Sequence, residues 1–132
     1  VVILPNLRAG CSMADMANLE QVLTAWDELE QVLNDDPINH IMPITYMNSA
    51  ANLKGFVGER GGTVCTSSNA HGAREGAFAQ RETVFFFPEQ HLGRNTGFAM
   101  GYGDADIRVW NQPHERGGLA ERDVMEATIL LW

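Results

Sequence analysis

Lysine is almost absent from this chain: Lys54 is the only one in 132 residues. Positive charge is scarce altogether, with 9 basic residues against 17 acidic ones and a net charge of -8. Such a surface repels phosphate backbones and anionic lipid headgroups, so neither nucleic acid nor a membrane is an expected partner. An anionic ligand would have to be met by a local pocket. Cysteine is scarce as well. Cys11 and Cys65 are too few for a disulfide scaffold, so a reducing, cytoplasmic setting is expected. No apolar run reaches the roughly 18–20 residues that span a bilayer. What the chain does have is 45% hydrophobic residues, enough to fill the core of one domain and too many for a disordered tail.

The apolar residues fall into short runs separated by helical patterns. Val1–Leu4, closed by Pro5, reads as a buried strand. Ser12 with Asp15 three residues on suggests a capping box, and Met16, Leu19, Val22, Leu23, Trp26, Leu29 and Leu33 then form one helical stripe. His40–Tyr46 is a second strand, and Pro43 suggests an edge position or a late start. Ala50–Glu59 reads as a short helix, Thr63–Thr66 as a strand and Ala70–Gln80 as a helix diluted by Gly72 and Gly76. Thr83–Phe87 is the clearest buried strand, and a loop or short helix leads on to the strand Ile107–Trp110. The glycine-rich segment from Asn95 to Gly103 reads as a long loop. Leu119–Ala127 is a helix and Thr128–Trp132 the last strand. Strands that read as continuous apolar runs, alternating with helices, predict an α/β fold: a mostly parallel sheet covered on both faces, a three-layer αβα sandwich. Both ends, Val1–Leu4 and Ile129–Trp132, are apolar where domain termini are ordinarily polar, so the chain is expected to be an internal piece of a longer protein.

In open parallel sheets, ligands bind beyond the carboxyl ends of the strands. The residues just after each run are therefore the candidates. They are Asn6 and Cys11, then Tyr46 and Asn48, then Thr66 to Asn69, then Glu89, Gln90 and His91. Most are uncharged hydrogen-bonding groups, suited to orienting a small polar anion, and helices that follow strands turn their positive ends to the same edge. Simpler readings stand beside these. Thr66 to Asn69 could cap a helix, Tyr46 and Asn48 could end a strand in a turn, and Cys65 inside a strand reads as a packing thiol. No Ser/His/Asp order, phosphate-binding loop or paired-cysteine motif is present. Pattern alone thus reaches an α/β domain with a small-anion site.

Four stretches carry more. They are Leu4 to Met16 around Ala9-Gly10-Cys11-Ser12, Thr45 to Lys54 around Tyr46-Met47-Asn48-Ser49, Val64 to Ala70 around Thr66-Ser67-Ser68-Asn69, and Phe86 to Gly97 around Pro88-Glu89-Gln90-His91. In this order they resemble the quinolinate synthase family of NAD biosynthesis, and the chain as a single domain, residues 1–132, resembles the middle of its three similar αβα domains. The resemblance implies condensation of iminoaspartate with dihydroxyacetone phosphate to quinolinate, phosphate and water. It implies a [4Fe-4S] cluster held by one cysteine from each domain and acting as Lewis acid. L-aspartate oxidase or aspartate dehydrogenase is the implied upstream supplier of iminoaspartate.

Residue by residue, Cys11 matches the first cluster ligand, Tyr46 and Asn48 match a substrate-holding tyrosine and asparagine, and Ser67 matches a serine on the bound anion. Cys65 matches no ligand. The family's second ligand follows a Trp-x-Gly-x-Cys pattern, which would lie just past Trp132. One cysteine cannot hold a cluster that needs three, so this stretch alone is expected to be inactive. Tyr102 to Gly118 matches less clearly and leaves His114 and Glu115 without a role. The alternatives are a stand-alone module that binds a dicarboxylate or phosphate ester at the same edge, and a structural domain with a metal site.

Overall fold

The computed structural model of the chain describes residues 12–87 and 89–132. The expected strand Val1–Leu4, the loop through Cys11 and the position of Pro88 lie outside the described residues. The sheet has five strands, β1 (Ile41–Tyr46), β2 (Thr63–Cys65), β3 (Thr83–Phe86), β4 (Ile107–Val109) and β5 (Ile129–Leu131), in the order β2-β1-β3-β5-β4. Every pairing is parallel, so the expected α/β class holds. The helices are α1 (Ser12–Asp15), α2 (Leu19–Leu33), α3 (Ala51–Glu59), α4 (Ala70–Phe78), α5 (Gln90–Ala99) and α6 (Glu121–Glu126).

Alternation along the strands divides the core into two. Ile41, Phe85, Phe87 and Leu130 point to one face, where Val22, Trp26 and Leu29 of α2, Leu53, Phe56 and Val57 of α3 and Val124 of α6 cover them. Met42, Ile44, Val84, Phe86, Ile107, Ile129 and Leu131 point to the other, against Ala70, Ala73 and Ala77 of α4 and Leu92 of α5. The connection β1 to β2 moves one way along the sheet through α3, and β2 to β3 returns through α4 on the opposite face. Right-handed crossovers in a twisted parallel sheet require that change of face. The order therefore reverses between β1 and β3, the position beyond whose strand ends ligands bind in open parallel sheets.

Three expectations need correction. The stripe from Met16 to Leu33 is not one helix starting at Ser12. One turn, α1, comes first, and α2 restarts behind Asn18. The Asn18 side chain accepts the Gln21 N–H at 3.0 Å, and the Gln21 side chain faces back to the Asn18 N–H, so the capping box sits there. Met16, which precedes the restart, and Leu23, which lies off the buried stripe of α2, are 46% and 40% exposed.

Second, β1 is not an edge strand: it pairs with both β2 and β3. Pro43 is tolerated because the carbonyls of His40 and Ile44 bond toward β3, which turns the intervening Pro43 backbone toward β2. Pairing with β2 begins only at Ile44 with Thr63, so the missing N–H falls before that ladder starts.

Third, residues 95–99 are helical rather than loop, as the second half of α5. Of the three glycines in that segment, Gly97 faces the sheet, as Gly93 does one turn earlier, while Gly101, with φ +90°, and Gly103 lie in the turn that follows α5. A Cβ on Gly93 would overlap Leu131 and lie 2.7 Å from the Phe86 ring, and one on Gly97 would lie 3.0 Å from Ile107 and 3.1 Å from Ile129. They let α5 approach the strands more closely than any larger residue would allow.

Candidate functional site

The carboxyl edge of the sheet has two differently built ends. At the β1–β2 end, Tyr46 closes β1 and Ser67 lies two residues past β2. Their side-chain oxygens, Tyr46 Oη and Ser67 Oγ, are 2.6 Å apart. They meet because the register aligns Tyr46 with Cys65, so the next few residues of both strands emerge side by side. The turn after β1 is held tightly. The Met47 N–H donates to the Cys65 carbonyl at 2.9 Å and the Ser49 N–H to the Tyr46 carbonyl at 2.9 Å. Ser49 Oγ lies 2.6 Å from Oγ1 of the buried Thr45 and accepts the Tyr46 N–H at 3.3 Å. Lys54 of α3 donates from Nζ to the Met47 carbonyl at 2.5 Å. Asn48 sits at the tip of this turn with its side chain exposed.

The turn after β2 is built by its own side chains. Asn69 Oδ1 accepts from the Thr66 N–H at 2.6 Å and from Thr66 Oγ1 at 3.1 Å, while Thr66 and Ser68 hydroxyls lie 3.0 Å apart. Asn69 is the N-cap residue of α4 but its side chain makes no capping bond, so the simple cap reading of this motif is not what its side chains do. Ala50 likewise gives α3 no side-chain cap. Both helix starts keep backbone N–H groups turned toward the edge. At α5 the arrangement is the reverse: the Glu89 carboxylate accepts from the His91 N–H at 2.9 Å and from the Leu92 N–H, so that helix start already carries an anion of the protein itself.

The β4–β5 end is aromatic. An open cleft of about 470 Å³ is lined there by Met16, Gln90, Trp110, Asn111, Gln112 and Trp132. The Trp132 indole N–H donates to the Met16 carbonyl at 2.7 Å, which ties the break between α1 and α2 to the end of β5. A larger hollow of about 580 Å³ is lined by Asp27, Glu30, Asp35 and Asp36 beside α2, and its acidic walls make it a poor place for an anion.

Of the sequence-derived site residues, the structure thus joins Tyr46 and Ser67; Asn48 lies on the turn after β1, two residues past Tyr46, and Cys11 lies outside the described residues. Cys65 is fully buried, and burial pushes its thiol up to about 11, so it stays protonated at neutral pH, in keeping with the packing reading. Among the described residues no three His, Cys, Asp or Glu side chains come together to hold a metal ion. No helix among them is long and apolar enough to cross a membrane.

Two residues with chemistry escaped the sequence reading. Lys54 was visible only as the lone lysine. Arg74 of α4 is completely buried: Nη1 donates to the Gly93 carbonyl at 2.7 Å and the guanidinium lies 4.6 Å from the centre of the Phe86 ring. Its Nε and Nη2 have no partner among the described residues, and burial draws its pKa down to about 10. Nothing in a pattern of apolar and polar residues marks an arginine as buried.

A parallel α/β domain whose hydroxyl-rich β1–β2 turns lie next to the order reversal between β1 and β3 has the architecture in which small polar ligands bind at strand ends. The comparisons narrow the class. Residues 1–128 match the family model described as quinolinate synthetase A protein, and the chain belongs to that family. A quinolinate synthase of Corynebacterium glutamicum is 53% identical over 131 residues, covering 99% of this chain and 32% of that protein. Quinolinate synthases of Acidobacterium capsulatum, at 50% over 131 residues, and Rhodopirellula baltica, at 46% over 133 residues, each cover 99% of this chain and 35% and 33% of theirs. The chain spans about a third of the length of the curated relatives it matches. No solved structure matches the chain.

Proposed function

We propose that the full-length protein is a quinolinate synthase, condensing iminoaspartate with dihydroxyacetone phosphate to quinolinate in NAD biosynthesis, with a [4Fe-4S] cluster as Lewis acid. In this reading Tyr46, Asn48 and Ser67 bind substrate and Cys11 is one cluster ligand. The observation that carries it is the 2.6 Å contact between Tyr46 and Ser67 at the sheet edge, in a chain about half identical to quinolinate synthases along its whole length.

The described residues do not by themselves fit a cluster. They contain one thiol, buried and protonated, and no convergent donor set. In this reading the cluster would rest on Cys11, as the resemblance implies, together with ligands from the rest of the full-length protein, and this stretch alone would be inactive. What the chain's own residues supply is orientation. Of two hydroxyls that share a hydrogen bond, the one that accepts keeps its proton free to donate to a ligand oxygen, and neither carries a charge that repels an anion. The turn around Asn48 is fixed before ligand arrives, so little ordering entropy opposes binding. The iminoaspartate would come from an L-aspartate oxidase or an aspartate dehydrogenase.

The test is chemical. Full-length protein, reconstituted anaerobically with iron and sulfide, is given dihydroxyacetone phosphate and iminoaspartate made in place by L-aspartate oxidase. Quinolinate and phosphate are expected in equal amounts. A folded, cluster-loaded protein that forms no quinolinate overturns the proposal. Anion binding without turnover would mark a binding module instead.

A further inference from the structure

The charge census singles out one residue at this edge. Lys54 is the only lysine in a chain with 17 acidic residues, yet none of the ion pairs among the described residues includes it. Its half-buried side chain is spent on a backbone carbonyl, that of Met47, at 2.5 Å. A long lysine side chain loses much rotamer freedom when it is held this way. An unneutralised ammonium makes the stronger, charge-assisted kind of hydrogen bond.

The bond falls on a particular peptide. Met47 is gripped on both sides: its N–H by the Cys65 carbonyl at the end of β2, its carbonyl by Lys54 from α3. The Met47 side chain itself is 53% exposed and adds little hold of its own. The Met47 carbonyl belongs to the peptide that leads directly into Asn48. The other anchors of the turn, Ser49 to Thr45 and Tyr46, fix its far side. Removing Lys54 would leave the Met47–Asn48 peptide free to rotate about a turn otherwise intact.

We propose that Lys54 is a positioning residue for this site: through the Met47 carbonyl it fixes the peptide that carries Asn48, and so sets the Asn48 amide for the substrate. This rests on the reading of Asn48 as a substrate-binding residue. It predicts that Lys54 and Asn48 act as one unit, and residues that act through each other are not additive when both are removed.

A double-mutant cycle tests it, with dihydroxyacetone phosphate titrated into full-length protein by calorimetry and thermal unfolding recorded for each variant. Lys54→Met and Asn48→Ala should each weaken binding about tenfold, the effect of one misplaced or missing hydrogen bond in a site. The double variant should remain near tenfold, where independent residues would multiply to about a hundredfold. Lys54→Arg, which keeps a charged donor, should recover most of the loss. A hundredfold loss in the double variant overturns the proposal. So does Lys54→Met with wild-type affinity, whether or not its unfolding temperature falls, because that is the behaviour of a merely structural lysine. If the wild-type protein does not bind dihydroxyacetone phosphate, the quinolinate synthase reading itself falls, and the inference with it.

Discussion

The two faces of the sheet are met by helices that differ in what they press onto it. Under α2, α3 and α6 the filling is large and aromatic. Phe85 packs on Phe87, Trp110 and Trp132 with ring centroids 4.5, 5.6 and 5.9 Å away, and Trp26 meets Phe56 edge-on at 5.4 Å. Under α4 and α5 the strands supply Phe86 and aliphatic side chains, and small residues of the helices meet them: three alanines of α4 and two glycines of α5 bring the helices down onto the strands, with one buried arginine against Phe86. The first face gains stability from contact area, the second from close approach. The difference teaches that equal burial does not mean equal tolerance. The aromatic face should be hurt by losing atoms and the small face by gaining them.

The largest expected effect is Phe85→Ala. Phe85 is fully buried at the centre of the aromatic cluster, and its loss should cost about 3–5 kcal/mol in urea unfolding of the full-length protein, since the surrounding rings cannot collapse into the space. A cost near 1 kcal/mol would show that the cluster is loose and that the comparison fails on this side.

Gly93→Ala comes next. It adds one carbon where Leu131 and Phe86 already stand, and overpacking of this kind costs about 1–3 kcal/mol. It also strains the Arg74 contact to the Gly93 carbonyl. A neutral result would mean that α5 can lift from the sheet without penalty.

Arg74→Met should matter less, staying within about 1 kcal/mol of wild type, because a buried charge with incomplete partners is replaced by an apolar chain of similar length. A loss of several kcal/mol would show that the guanidinium has a strong partner elsewhere in the full-length protein. Gly72→Ala is the smallest change and reverses the sign. A Cβ there meets nothing within 4 Å, so relief of backbone entropy in α4 should stabilise by about 0.5–1 kcal/mol. Together with Gly93→Ala it makes a matched pair: the same substitution, opposite signs, decided by which side of the helix faces the sheet.

This contrast also explains which parts of the fold were legible in the sequence. The run Thr83 to Phe87 could only be a buried strand, and β3 is that strand at the centre of the sheet. The helices α3 and α4 were legible to within a residue or two of their ends. The errors fell where one residue type serves two purposes. Glycine marks loops, but in α5 it marks close packing, and only the facing side chains of Phe86 and Leu131 distinguish the two. Proline marks edges, but Pro43 sits in an interior strand because the pairing strand starts one residue later. A capping motif at Ser12 and another at Asn18 compete, and the packing of Trp132 against the Met16 carbonyl accompanies the second.

The site was legible in part. Strand ends and hydroxyl-rich turns marked a wide set of residues that included Tyr46, Asn48 and Ser67, and the family resemblance singled out these three; the structure brings Tyr46 and Ser67 together. The bonds that fix these turns were not legible, since Ser49 to Thr45 and Lys54 to Met47 depend on backbone directions that composition does not encode. Cys65 was legible as a packing thiol for a plain reason: it is apolar enough to be enclosed, and enclosure keeps it protonated.

The central claim is that the β1–β2 end of the sheet, and not the aromatic end, receives the anionic substrate. Calorimetric titration of dihydroxyacetone phosphate into the full-length protein and its Ser67→Ala variant tests it most directly. The account predicts about tenfold weaker binding in the variant, because one hydroxyl of the Tyr46–Ser67 pair is lost from a preformed site. Unchanged affinity in a normally folded Ser67→Ala protein would contradict it.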